Sequence, residues 1–228
     1  MTGKEVIDKI SAETGVTFLA FSAGKDSIAV WLKMRGHFEK IIPVYYYLVP
    51  GLQFVEDSLK YYEEFFQTKI YRLPHQTLYR WLHHALDSSP TQHPVLQAAN
   101  IPIIKQPEIL GALAKQLGID PAWIAVGTRS ADSPVRMLAF KKYGAINYKS
   151  RSYSPVWDMK KDELIDTIRE SGCLLPKEYR LWGRSFDGLD HRFLHGIKKH
   201  FPDDYQRILK WFPLCEAELM RANLEKPL

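Results

Sequence analysis

The sequence predicts an α/β protein: a doubly wound, largely parallel sheet of about five strands, with a short, mainly helical C-terminal appendage. Three observations carry this. Short apolar runs alternate with longer amphipathic stretches over residues 16–171. The second run, Lys40–Val49, is apolar almost throughout, as in a strand buried on both faces. The first run stops in a tight polar loop, Ser22-Ala-Gly-Lys-Asp-Ser27, that opens directly into a helical pattern.

The elements follow in order. Lys4–Glu13 reads as a leading helix and Thr17–Phe21 as the first strand. Ser27–Arg35 is the helix after the loop, stopped near Gly36. After the Lys40–Val49 strand come a helix over Phe54–Phe66, a strand over Lys69–Leu73 and a helix over Gln76–Leu86. Ser88–Gln106, with Pro90, Pro94 and Pro102, reads as an irregular excursion. Pro107–Leu117 starts a helix on proline and has Gly118 just past its end. Trp123–Gly127 is the next strand, Pro134–Lys142 a helix, Ile146–Val156 contains the last strand, and Lys160–Ser171 is the helix behind it. From Pro176 the turn-rich Gly183–Asp190 segment and two short helices form the appendage. The expected division is a nucleotide-binding domain over 1–175 with an appendage over 176–228 packed on it.

Composition narrows the function. At 228 residues with 46% hydrophobic and 25% charged content, the chain has the balance of a soluble globular protein. Its formal charge of +5 favours anionic small molecules without marking a nucleic-acid binder. The two cysteines, Cys173 and Cys215, stand far apart, which excludes an intrachain four-cysteine cluster or zinc ribbon. The longest greasy stretch, Ile41–Val55, is interrupted by prolines and Gly51 and is too short to span a bilayer. With charges in place of an apolar leader at the N-terminus, a cytoplasmic enzyme is expected, with no membrane partner.

The loop carries the chemistry. A strand that stops in front of a helix presents backbone N–H groups and the positive helix end to a ligand, and phosphate suits both. Gly24 permits close approach, Ser22 and Ser27 offer hydroxyls, Lys25 adds a point charge, and Asp26 is available for Mg²⁺ or for fixing the loop. It is not a Walker A loop, since Leu19 stands where that pattern needs glycine and Asp26 where it needs Ser or Thr. The alternative is an ordinary strand-to-helix turn with a capping side chain.

The string resembles the Ser-Gly-Gly-x-Asp-Ser loop of the PP-loop ATP pyrophosphatase superfamily, with Ala23 in place of the first glycine, and within it the branch grouped with phosphoadenosine phosphosulfate (PAPS) reductases. Three further segments are similar to that branch, in the right order. Pro50-Gly51-Leu-Gln-Phe54 follows the second strand, where the family has a loop beside the ribose. Gly127-Thr-Arg129-Ser-Ala-Asp132-Ser133-Pro-Val-Arg136 is similar to its Gly-x-Arg-x-x-(Asp/Glu)-Ser-x-x-Arg signature. Ser154-Pro155-Val-Trp157-Asp158, followed by Lys161-Asp162-Glu163-Leu164, looks like its Pro-x-x-(Asp-Trp) turn into a helix, with the order here Trp-Asp.

The resemblance implies ATP and Mg²⁺ as cofactors. Binding residues would be Ser22, Ala23, Gly24, Lys25, Asp26, Ser27, Gly51 and Gly127, with Asp26 on the metal. Lys25, Asp26, Arg129 and Arg136 would serve the chemistry, the arginines as planar forks for a pyrophosphate or an oxyanion. The arginines could instead be surface salt-bridge partners of Asp132 and Glu163, a reading the strand-end position of Arg129 at the ligand edge disfavours, and Asp132 and Ser133 read first as helix caps. The activity implied is cleavage of ATP between its α- and β-phosphates, with AMP passed to an unidentified small or macromolecular acceptor. One alternative is a PAPS or adenosine phosphosulfate reductase. That would need a reactive tail cysteine, and Cys215, followed by Glu216 and Ala217, matches the reductase tail poorly. A second is a non-catalytic nucleotide-binding subunit in nucleic-acid modification. Nucleic acid, a partner subunit and a homo-oligomer all stay open.

Other candidates weigh less. His191 and His195 could share a helix face for a metal but lack a third ligand. His83, His84 and His93 flank the excursion and could contact anions but read first as surface residues, and Arg184 sits in a turn from which it could reach a ligand.

Overall fold

A computed structural model describes residues 1–119 and 121–224. In chain order they form α1 (Gly3–Glu13), β1 (Val16–Ala20), α2 (Lys25–Met34), β2 (Lys40–Tyr47), α3 (Gln53–Phe66), β3 (Tyr71–Pro74), α4 (Gln76–His83), α5 (His93–Ala99), α6 (Gln106–Gln116) and β4 (Ile124–Ala125). There follow α7 (Pro134–Tyr143), β5 (Ile146–Asn147), β6 (Ser152–Tyr153), α8 (Lys161–Glu170), α9 (Tyr179–Trp182), α10 (His191–His200), α11 (Pro202–Trp211) and α12 (Glu216–Leu224). The expected α/β class and wound sheet are present.

The sheet runs β3-β2-β1-β4-β6-β5. β1 pairs in parallel with β2, Phe18 facing Ile42, and with β4, Phe18 facing Ile124, while β4 pairs in parallel with β6. The chain therefore winds outward from β1 in one direction and returns to its other side at β4. The C-terminal ends of β1 and β4 flank that reversal, the position at which wound sheets bind ligands. β1 is central because its side chains are apolar on both faces: Phe18 and Leu19 are fully buried. Thr17 is buried too, its hydroxyl meeting the Trp123 carbonyl at 3.2 Å and the Tyr153 hydroxyl at 3.0 Å.

Three expectations need correction. The last strand is split into β5 and β6, an antiparallel hairpin, so the sheet has six strands. Arg151 in the left-handed region (φ 48°) and the Asn147 side chain, which accepts from the Ser150 N–H at 3.1 Å, turn the chain back. The excursion over 88–106 contains α5, because Pro94 sits in its first turn, where a missing N–H is harmless. The C-terminal segment holds α9 to α12 among the described residues rather than two short helices.

The residues group into two compact units. The first comprises Met1–Tyr46, Tyr61–Leu73 and Leu110–Pro176; the second comprises Tyr47–Lys60, Pro74–Ile109 and Lys177–Leu228. The segment after Pro176 thus shares its unit with two earlier stretches. The first unit packs Phe18, Ile42 and Val44 of the sheet against Leu110, Leu113 and Ala114 of α6. Phe21, Tyr62 and Phe66 form a ring cluster, with Trp31 stacked on Phe66 at 4.2 Å. In the second unit Phe54 stacks on Phe201 at 4.8 Å and meets Trp182 edge-on at 5.9 Å.

Candidate functional site

The loop after β1 is shaped by its own side chains. Ser27 donates to the Gly24 carbonyl at 2.9 Å and accepts from the Ser22 N–H at 3.2 Å, so both serines close the loop. Gly24 is the N-cap of α2 with an unexceptional φ of −86°. The left-handed residue is Ala23, at φ 56°. The residue standing where the similar loops have their first glycine is thus the one that most needs glycine's freedom. Among the described residues, the first turn of α2 leaves the N–H groups of Lys25, Asp26 and Ser27 without carbonyl partners, and the first intrahelical bond runs from Ile28 to Gly24 at 3.1 Å. Those amides and the positive helix end suit an anion.

The loop after β4 reaches the same place. A Cβ on Gly127 would lie 3.1 Å from the Asp26 Cβ and 3.3 Å from the Ser27 nitrogen, so glycine is what lets the two loops meet. A string of charges runs across the junction. Lys25 Nζ lies 2.6 Å from Asp26 Oδ2, and Arg129 Nε lies 2.8 Å from Asp26 Oδ1 as an ionic contact rather than an aligned hydrogen bond. Arg129 also reaches Asp132 Oδ1 at 2.8 Å and the Met159 carbonyl at 3.4 Å. Asp132 Oδ2 then takes Arg136 at 2.7 Å.

These contacts assign places to the predicted residues. Ser22, Ala23, Gly24, Lys25, Asp26, Ser27, Gly127 and Arg129 come together. Arg129 is only 5% exposed and is engaged by two carboxylates, so it braces the two loops. Arg136 is half-exposed, with its backbone N–H received by Ser133, the N-cap of α7. Both arginines pair with Asp132, which the sequence suggested first as a cap. Gly51 belongs to the second unit, at φ 68°, and its carbonyl accepts from Arg207. There the N-terminal amides of α3 are already taken: buried Asp204 accepts from Gln53 at 2.7 Å and Phe54 at 2.9 Å.

Asp26 has a cation on each oxygen, and no cluster of three His, Cys, Asp or Glu side chains exists among the described residues. That donor set does not suit a resident metal. His191 and His195 are exposed on α10. Both thiols are buried. Burial, with Asp87 and Glu216 nearby, pushes Cys215 up to about 12, and burial pushes Cys173 up to about 11.

Some features were not foreseen. Beside Arg136 lies a cavity of about 390 Å³ whose walls include Thr128, Phe140, Tyr143, Asn147 and Tyr148. No helix among the described residues is long and apolar enough to cross a membrane.

No protein family and no curated protein matches the sequence. Solved structures do resemble the fold. The phosphoadenylyl-sulfate (PAPS) reductase from Candida auris, solved as a phosphate complex, matches with a TM-score of 0.51 at 12% identity, over 82% of this chain and 88% of that one. The U34-tRNA thiolase NcsA from Methanococcus maripaludis aligns at a TM-score of 0.47 and 12% identity, over 88% of this chain and 72% of that one. The NH3-dependent NAD synthetase from Campylobacter jejuni gives 0.45 and 13%, over the full length of both. In its strand order and its likeness to that reductase, the chain has the wound α/β fold of the Candida auris PAPS reductase structure.

Proposed function

We propose that the chain is an ATP-using enzyme that cleaves ATP between the α- and β-phosphates, passes AMP to an acceptor and releases pyrophosphate. The observation that supports this reading is the approach of the β1 and β4 loops at the reversal point, where Gly127 packs against Asp26 and Ser27 at the N-terminus of α2. An acceptor oxygen would attack the α-phosphorus while the bond to the bridging oxygen breaks and pyrophosphate departs. Mg²⁺ entering with ATP would share the charge of the phosphates. The loop amides and Lys25 would hold the departing pyrophosphate, and Arg136, the exposed arginine, would meet the acceptor side. Arg129 would act by position, holding Asp26 so that Lys25 is aimed. No side chain need form a covalent bond.

Reduction of a sulfonucleotide is the less favoured reading, because it needs a thiolate and both thiols are buried with raised pKa values. The test uses ATP radiolabelled at the α-phosphate with Mg²⁺ and a panel of acceptors, separating AMP, adenylylated product and pyrophosphate. Lys25→Ala should weaken ATP binding or turnover about tenfold, since one charge-assisted contact is worth about 1.5–3 kcal/mol. Unchanged affinity and turnover would remove the loop assignment.

A further inference from the structure

Residues 133–157 contain Arg136, Lys141, Lys142, Lys149 and Arg151 and no acidic residue. Those five account for the whole formal excess of +5, so the rest of the chain is balanced. The same segment, α7 with the β5–β6 hairpin, holds most of the exposed large apolar side chains among the described residues of the first unit. Helix α7 buries none of its residues, with Val135 at 76%, Leu138 at 66% and Tyr143 at 70% exposure, and Tyr148 in the hairpin is half-exposed.

Charge and rings are interleaved. Lys142 Nζ lies 5.0 Å from the Tyr143 ring and Lys9 Nζ lies 5.4 Å from the Tyr148 ring. Between the two tyrosines, Phe140, Asn147 and Arg136 complete the 390 Å³ cavity. A solvated basic face would not need unburied rings, and a face for an apolar protein surface would not gather the chain's entire charge excess.

From this pairing we infer that α7 and the β5–β6 hairpin form a docking surface for an unpaired stretch of RNA, one base entering the cavity beside Arg136. Phosphates would lie along Lys141, Lys142, Lys149 and Arg151, and bases would stack on Tyr143 and Tyr148. Unpaired loops with splayed bases are the form that folded RNA presents. The exposed Asn147 amide and the Ser150–Ser152 hydroxyl pair, 2.8 Å apart, offer both donors and acceptors for the 2′-hydroxyl. The inference rests on the proposed adenylylation only in making RNA the acceptor; docking itself requires no ATP.

Fluorescence anisotropy of a labelled mixed-sequence single-stranded RNA, without nucleotide, tests the surface in the full-length chain. The matched comparators are its duplex, a DNA of the same sequence and polyglutamate. The single-stranded RNA should bind most tightly. Joint replacement Lys141→Ala, Lys142→Ala and Lys149→Ala should weaken it at least tenfold and reduce the slope of log affinity against log salt by about 2. Tyr143→Ala should weaken it by about tenfold while leaving the salt slope unchanged. ATP affinity, measured by calorimetry in the same variants, should stay constant. Absence of RNA binding, equal binding of polyglutamate or DNA, or variants that bind as the parent does would overturn the surface, whatever the ATP assay shows. RNA binding without ATP cleavage would instead remove the adenylylation reading and leave this surface standing.

Discussion

Asp26 joins the two loops of the site through Lys25 on one oxygen and Arg129 on the other. Arg129 is the buried member, and a buried guanidinium that loses its fit leaves carboxylates uncompensated. Arg129→Lys should therefore lower stability by about 3 kcal/mol, read as a clear fall in melting temperature, because an ammonium cannot meet Asp26, Asp132 and the Met159 carbonyl together. Arg136→Lys, at an exposed pair, should shift stability by less than about 1 kcal/mol. Equal effects in the two variants would contradict a bracing role for Arg129. The sequence pointed to both arginines through the Gly-x-Arg signature but gave them one role. Burial, which separates them, depends on strands that are distant in sequence.

At the scale of elements, much of the alternation of strand and helix was legible because helices that pack on the core repeat their apolar residues at helical spacing, as Val6, Ile7 and Ile10 do in α1. Prolines were harder to read. Pro94 starts α5 where it looked like a breaker, and the hairpin turn at Arg151 uses a left-handed residue that no turn signal announces. Helix α4 carries a further device. His75 caps it through Nδ1, which accepts from the Thr77 N–H at 3.1 Å, and burial together with Arg80 holds the ring's pKa below 6.5. The neutral ring is therefore favoured on folding. Its contribution is fully present above pH 6.5 and is lost as pH falls from there through the lower folded value. His75→Asn keeps a capping oxygen that does not titrate, so it should flatten that limb of the stability–pH curve, measured by urea unfolding across the range. An unchanged curve would mean the cap is not what titrates.

For the molecule as a whole, both thiols should be silent. With Cys215 pushed up to about 12 and Cys173 to about 11, their thiolate fractions at mildly alkaline pH fall about a hundredfold or more below that of a free thiol. Iodoacetamide should label neither residue in the folded chain and both after denaturation, as read by intact mass. Rapid labelling of Cys215 in the native protein would revive a thiol-based reaction. The poor tail motif hinted at this silence; the reason for it, burial among Asp87 and Glu216, was beyond the sequence. The cavity beside α7 was likewise hidden, since its walls come from a helix and a hairpin whose angle no local pattern sets.

The sheet ends in two short strands, and each discourages another sheet from adding to it. At one border β3 runs for four residues and finishes on Pro74, which has no N–H to offer a newcomer. At the other, β5 has two residues and sits among Lys141, Lys142, Lys149 and Arg151, whose like charges repel a second copy approaching along the same border. That second restraint is electrostatic, so concentrated salt or a bound polyanion would weaken it. The tendency of the protein to self-associate is therefore coupled to whatever neutralises that border.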